Sequence, residues 1–409
     1  MAVVSTPRHL EARLSSGPAS APDRSRVEAI DVLRGLVIAL MALDHVRDFL
    51  HVSGYAFNPL DSRQTTVLLY VTRWVTHFCA PTFVFLAGVS AWLLVARGKP
   101  TSDLSRRLLA RGLWLVLLEL TVIGFGWAWS IPFMPFLQVI WAIGVSMVLL
   151  ALCVRLPASA VLVIGAAIVA GHNLFDGVRP GDLGRFGVLW QLVRAGGVLG
   201  TPDGGAVLAS YPILPWFGVM AFGYGLAWVF VAKDRDRLLY RIGGAMLLLF
   251  LILRIVNVYG DPRPWAARAD LRSTAMAFMD VTKYPPSLQF VTATLGSALL
   301  AFPLLARWRG PVASVLRIYG AVPLMAYLVH IYVVHAIAVV SRVANGQDAA
   351  GLNNAIYNFV LNSQAMGGTG MPLWFVYPAW IAVLAIIYPL CRWWAQVKAT
   401  RRDWWLSYL

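Results

Sequence analysis

The chain has 409 residues, of which 59% are hydrophobic and 13% charged, and its formal net charge is +15. Soluble proteins carry about 25% charged residues, so this composition excludes an ordinary soluble domain and points to an all-α, polytopic integral membrane protein. Nucleic-acid binding is excluded too, because the cations sit in short segments between apolar runs and form no basic stripe interleaved with aromatics.

Residues 1–28 are rich in Ser, Pro and Arg and lack an apolar core followed by a cleavage site, so a cytosolic tail is expected rather than a signal peptide. A transmembrane domain is expected over 29–396 and a second cytosolic tail over 397–409. The first span, 30–51, reads IDVLRGLVIALMALDHVRDFLH. At about 1.5 Å per residue it is long enough to cross a bilayer. On a helical wheel Val32, Leu36, Ala39, Leu43, Val46 and Leu50 form a stripe expected to face lipid. Asp31, Arg34, His45 and Asp48 lie opposite, continued by Asp44 and His51, with Arg47 the one charge off that face. Charges at the bilayer centre cost on the order of 3 kcal/mol each by insertion scales, so they face protein or water. This helix reads as one wall of a buried site.

Nine further spans bring the expected total to ten. They fall at about 66–96 (divided at Pro81), 107–129, 134–154, 157–172, 207–232, 238–259, 286–305, 313–341 and 372–395. Longer connections at 173–206, 260–283 and 342–370 separate some of them, and no internal repeat of the transporter kind is visible. The positive-inside rule gathers Arg8, Arg13, Arg24 and Arg26 on one side, with the clusters at 97–111, 233–241, 307–317 and 392–402. Both termini are thereby placed in the cytoplasm, and a bacterial inner membrane is the expected location. RRDWWLSYL at the C-terminus fits an interfacial anchor. Cys79, Cys153 and Cys391 lie in or beside apolar runs without metal-ligand spacing and read as buried structural thiols.

Asp44 and His45 lie about 20 Å along the first span from its cytoplasmic end, and His51 sits at the outer mouth. Arg73 and His77 reach a similar depth from outside, as do His330 and His335 in LMAYLVHIYVVH, so five of the seven histidines converge. Any one of these polar groups reads more plainly as a satisfied helix–helix hydrogen bond; the set together reads as a site. Asp31 and Arg34, spaced i, i+3, suggest a local ion pair. Glu119 reads as a neutral, hydrogen-bonded acid, and Arg254 as snorkelling to the outer interface. Imidazole titrates near neutrality, and a carboxylate beside it fixes its tautomer, which suits a base deprotonating an amine or hydroxyl that attacks a thioester. No G-x-S-x-G, Walker, Rossmann or H-E-x-x-H motif occurs. No metal is expected, since Asp44 and His45 point about 100° apart on a helix. In RGKPTSDLSRRLLAR, the residues Arg97, Lys99, Arg106, Arg107 and Arg111 suit lipid headgroups or the phosphates of a cytosolic cofactor.

RVEAIDVLRGLVIALMALDHVRDF resembles the opening of the catalytic domain shared by heparan-α-glucosaminide N-acetyltransferase and its bacterial relatives, the DUF1624 group. APTFVFLAGVSAWL, YPILPWFGVMAFGYGLAW, KYPPSLQFVTATLGSALL and VPLMAYLVHIYVVH are similar to later motifs of the bacterial branch, so the resemblance covers about residues 26–395. It implies a transmembrane acyltransferase that carries an acetyl or other short acyl group from cytosolic acetyl-CoA to a sugar-type acceptor outside. The family's catalytic histidine follows the first helix, and across a gap it matches His51; the family's Asn near the thioester falls on His45, a departure. The lumenal N-terminal domain is not expected here, so a heparan acceptor does not carry over. On this reading His51 or His45 is the general base and Asp44 or Asp48 orients it. Arg73, His77 and His330 meet the acceptor, and Arg34, Arg106 and Arg107 hold the donor phosphates. The expected partners are membrane lipids and a small-molecule or glycan acceptor; a homodimer is left open. The alternative is a proton-coupled transporter using the same intramembrane groups.

Overall fold

The computed structural model describes residues 24–201, 205–401 and 403–408; most of the expected N-terminal tail, with Arg8 and Arg13, and also Arg402, lie outside them. In chain order the helices are α1 (Arg24–Leu50), α2 (Val67–Val75), α3 (Cys79–Ala96), α4 (Thr101–Ala128), α5 (Val139–Cys153), α6 (Ala158–Gly171) and α7 (Ile213–Leu226). They continue with α8 (Arg235–Val256), α9 (Leu271–Met279), α10 (Leu288–Arg307), α11 (Pro311–Ala321), α12 (Pro323–Ala344), α13 (Ala355–Leu361) and α14 (Leu373–Thr400). Beside them, among the described residues, stands a small sheet. In it β1 (Phe136–Leu137) runs parallel to β3 (Val207–Ala209), which pairs antiparallel with β2 (Gly197–Leu199). The fold is all-α and polytopic.

Eight helical runs are long and apolar enough to cross a membrane: 67–96, 101–128, 158–175, 213–231, 235–256, 288–307, 323–344 and 373–400. Two of the ten expected spans fall outside that set. One is α5, with 15 residues. The other is α1, which is 27 residues long and rich in charge. Helix α1 begins at Arg24 and α14 runs to Thr400, so the expected boundaries at 29 and 396 both fall inside helices. The break expected at Pro81 lies slightly earlier, in the 3₁₀ turn Thr76–Phe78. Pro81 itself sits in the first turn of α3, where its missing N–H leaves no helical hydrogen bond unmade. The span expected at 313–341 is two helices. Val322 leaves helical geometry at φ −131° and Pro323 starts α12 afresh.

Helix α1 is the hub, packed against α3, α10, α11, α12 and α14. The stripe expected to face lipid does not: Val32, Ala39, Leu43, Val46 and Leu50 are all buried. Val32 and Ala39 pack on Leu316 of α11, with Trp380 and Leu384 of α14 alongside, and the Trp380 indole donates to the Ala39 carbonyl at 2.7 Å. An apolar stripe fits lipid and an apolar helix equally well. Contact with α11 is made at backbone distance in both directions. A Cβ on Gly35 would stand 1.8 Å from the Leu316 carbonyl oxygen, and one on Gly320 would stand 1.8 Å from that of Asp31. Small residues facing one another in this way allow close backbone approach between membrane helices.

Gly35→Ala is therefore expected to destabilise the protein by about 1–3 kcal/mol, the usual range for overpacking. Gly171→Ala, with nothing within 4 Å of its Cβ, should stay within about 0.5 kcal/mol of wild type. Thermal unfolding of the two purified variants in detergent makes the comparison.

Candidate active site

A cavity of about 380 Å³ runs alongside the lower part of α1. Its basic end is lined by Arg97, Arg107 and Arg111, by Lys398 of α14, and by Arg34 with Asp31. Arg34 spans the expected i, i+3 pair to Asp31 at 3.5 Å and donates to the Ser90 hydroxyl. Its other end reaches Met41 and Tyr327. Of the arginines expected at donor phosphates, Arg34 and Arg107 line this cavity. Arg106 does not: it is exposed on α4 and paired at 2.6 Å with Asp103. The α4 wheel explains this, because Arg107 and Arg111 share a face and Arg106 is turned about 100° away. Lys398, expected in the C-terminal tail, is instead brought here by the length of α14.

Above that end, one turn beyond Met41, His45 Nδ1 lies 2.7 Å from His330 Nε2 on α12. The ring of Tyr327 stands edge-on to both imidazoles, at 5.3 Å from His330 and 6.2 Å from His45. Hydrogen-bond partners settle the tautomers. His330 Nδ1 faces the carbonyl oxygens of Tyr327 at 2.6 Å and Ala326 at 3.2 Å. Carbonyls only accept, so that nitrogen carries the proton and Nε2 of neutral His330 is a lone pair. His45 Nδ1–H then donates to it, and His45 Nε2 keeps a free lone pair. The Tyr327 hydroxyl is buried with no hydrogen-bond partner. Sequence reasoning passed over Tyr327, although its place three residues before His330 puts it on the same helical face.

The carboxylates are committed elsewhere. Asp44 accepts from Arg47 at 2.7 Å, from Arg73 at 3.1 Å and from the Thr76 hydroxyl at 2.8 Å. Arg47 also reaches Asp48 at 2.5 Å. Neither Asp44 nor Asp48 is hydrogen-bonded to a histidine, contrary to the expected orienting role; the partner of His45 is another imidazole. Arg47, expected as the one charge off the polar face, is buried at the middle of the carboxylate network. His77, next to Thr76, is buried edge-on to Phe290 at 5.3 Å, and its Nδ1 lacks a partner.

His51 sits at the far end of α1, and its Nδ1 accepts from the Ser53 N–H at 3.1 Å. That fixes the neutral tautomer with the proton on Nε2, so His51 presents a donor there. His335 lies further along α12 from His330, its ring stacked on Trp129 at 4.4 Å. Two expectations outside the cluster resolve differently. Glu119 accepts from the Trp141 N–H at 2.9 Å, as a hydrogen-bonded acid would. Arg254 does not snorkel. It is buried and donates to the carbonyls of Ala277, Phe278 and Asp280 at the C-terminus of α9, where the helix dipole favours a cation.

The family model described as "Heparan-alpha-glucosaminide N-acetyltransferase, catalytic" matches residues 26–258, which takes in α1 and the basic rim contributed by α3 and α4. No curated protein matches the chain.

Asp44→Ala strands two arginines in a buried setting and is expected to destabilise the fold by about 3–5 kcal/mol. Asp48→Ala should cost far less, because Arg47 keeps Asp44 and the Asp48 side chain is 32% exposed. Thermal midpoints of the two variants, measured side by side, test the ranking.

Proposed function

The chain belongs to the heparan-alpha-glucosaminide N-acetyltransferase catalytic family, whose members are transmembrane acetyltransferases, and from that premise we propose that its donor is acetyl-CoA and its acceptor a sugar-type amine or alcohol. The observation that carries this reading is the cavity joining a rim of cations to the His45–His330 pair. Arg97, Arg107, Arg111 and Lys398 suit the phosphates of the donor, arginine offering them bidentate contacts. The positive-inside rule puts that rim in the cytosol of a bacterial plasma membrane. The acetyl thioester then points towards Tyr327 and His45, and the acceptor approaches from the opposite end.

His45 Nε2 takes the proton from the acceptor's nitrogen or oxygen as that atom attacks the thioester carbonyl. The Tyr327 hydroxyl donates to the oxyanion as it develops. The carbon–sulfur bond breaks, the His45 proton passes to the departing thiolate, and the products are acetylated acceptor and CoA. His330 holds the tautomer of His45, the task expected of Asp44 or Asp48. His51, with Nε2–H outward, serves as a hydrogen-bond donor to the acceptor. Direct transfer within a ternary complex requires no acyl-histidine.

Thiol release from acetyl-CoA with a panel of amino sugars tests the assignment. His45→Ala should lower kcat by about 10²–10⁴-fold, the usual weight of a general base. Tyr327→Phe should lower it by about 10²-fold with donor affinity unchanged. Release that persists unaltered in His45→Ala removes that histidine from the chemistry. The double variant Arg107→Ala, Arg111→Ala should raise KM for acetyl-CoA and leave kcat intact. It should not affect a phosphate-free acetyl-pantetheine donor.

A further inference from the structure

Residues 259–409 lie beyond the family match, and within them stands a cation that the proposed chemistry does not employ. Arg342, in the last turn of α12, is 1% exposed. Its Nη1 reaches only the Met366 thioether at 3.9 Å, and its Nε and Nη2 are buried without a hydrogen-bond partner. Among the described residues no carboxylate pairs with it. The other deeply buried arginines are answered: Arg47 by Asp44 and Asp48, Arg194 by Asp176 and the His172 carbonyl, Arg254 by the end of α9. A guanidinium left in this state is costly unless something of opposite charge joins it.

Three further groups stand nearby in the same condition. His335, two turns before Arg342 on the same face of α12, donates through Nδ1 to the Gly126 carbonyl at 3.1 Å. Its Nε2 is therefore a lone pair, and it too is buried without a partner. The stacked Trp129 has its indole N–H unpartnered, as does the Ser130 hydroxyl. Trp129 is held at φ 45°, left-handed backbone that a bulky residue seldom adopts. This cluster adjoins the proposed active site. Phe49 touches both His335 and Trp127, at 5.0 and 5.2 Å, and Trp127 touches His45 at 4.9 Å. Along α12, Arg342 lies roughly 18 Å beyond His330, away from the basic rim.

We infer that these residues form a second anchor for the acceptor, in which Arg342 holds an acidic group — carboxylate, sulfate or phosphate ester — and His335 accepts a hydrogen bond from a hydroxyl beside it. The inference takes the ligand's identity as acceptor from the proposed function. A cation with free donors next to a lone free acceptor matches a hydroxylated acid better than a neutral sugar or a simple amine. The separation from His330 places the acid at least a sugar unit away from the reacting atom.

The test is binding to the full chain in detergent, read as the thermal midpoint against glucuronate concentration, with glucose as the neutral control and chloride holding ionic strength constant. The wild type should show a saturable rise with glucuronate and none with glucose. Arg342→Gln should raise the apparent Kd at least about tenfold, as loss of a charge-assisted pair requires, and Arg342→Lys should fall between them. His45→Ala should bind as wild type does, so this readout is independent of turnover. Should no acceptor support CoA release while the Arg342-dependent shift persists, the acetyl-transfer reading fails and the anion site stands. Equal response to glucuronate and glucose in the wild type, a comparison that needs no variant, overturns the inference. So does an unchanged Kd in Arg342→Gln. A shift produced by phosphatidylglycerol in nanodiscs, with none from glucuronate, glucose 6-sulfate or glucose 6-phosphate, would assign Arg342 to a lipid headgroup and overturn it as well.

Discussion

Everything in this fold is arranged around a helix that has no business among apolar neighbours unless each of its charges is answered. Asp44 is the pivot. Its two oxygens collect Arg47 from its own helix and Arg73 and Thr76 from the segment around the 3₁₀ turn between α2 and α3. In a low-dielectric interior one carboxylate serving two guanidinium groups is held tightly, and the geometry of the second chain segment is set by it. The break at Thr76–Phe78 is intelligible in this light: it turns Thr76 and Arg73 towards α1 at the level of Asp44.

With its carboxylates taken up, α1 leaves His45 to be oriented from elsewhere, and α12 supplies the means. A chain of donors runs from His45 through His330 to the Tyr327 carbonyl. Each link is fixed by the one below it, and the outcome is a lone pair at the top. A His–His relay of this kind lacks the negative charge of an Asp–His pair. It orients the base without raising its proton affinity as a carboxylate would, which suits a group that must remain neutral beside a rim of cations.

Much of this was legible in the residues. Composition and run lengths give a polytopic helical membrane protein, and the depth of His45 and His330 along their spans brings them to one level. Partnership was not legible. Asp44 and His45 are neighbours in sequence, yet the helix turns one towards Arg73 and the other towards α12. Hydropathy could not tell a lipid-facing stripe from one covered by α11 and α14, since both surroundings are apolar. Nor could it separate a topological arginine from a functional one: Arg106 and Arg107 are adjacent, and of the two only Arg107 lines the cavity. Tyr327 and Arg342 escaped because nothing in a sequence reveals that a hydroxyl or guanidinium lacks a partner.

The paired glycines bear on how the molecule can move. Because Gly35 and Gly320 each seat the other helix's carbonyl, α1 and α11 have no slack along their seam and travel as one rigid piece. The chain leaves that piece at Val322 and starts again at Pro323, so α12 hangs from it by a single articulation. His45 rides on one part and His330 on the other. Their hydrogen bond is thus a latch across a joint, and opening it would disarm the base and displace Tyr327 from the cavity in the same stroke.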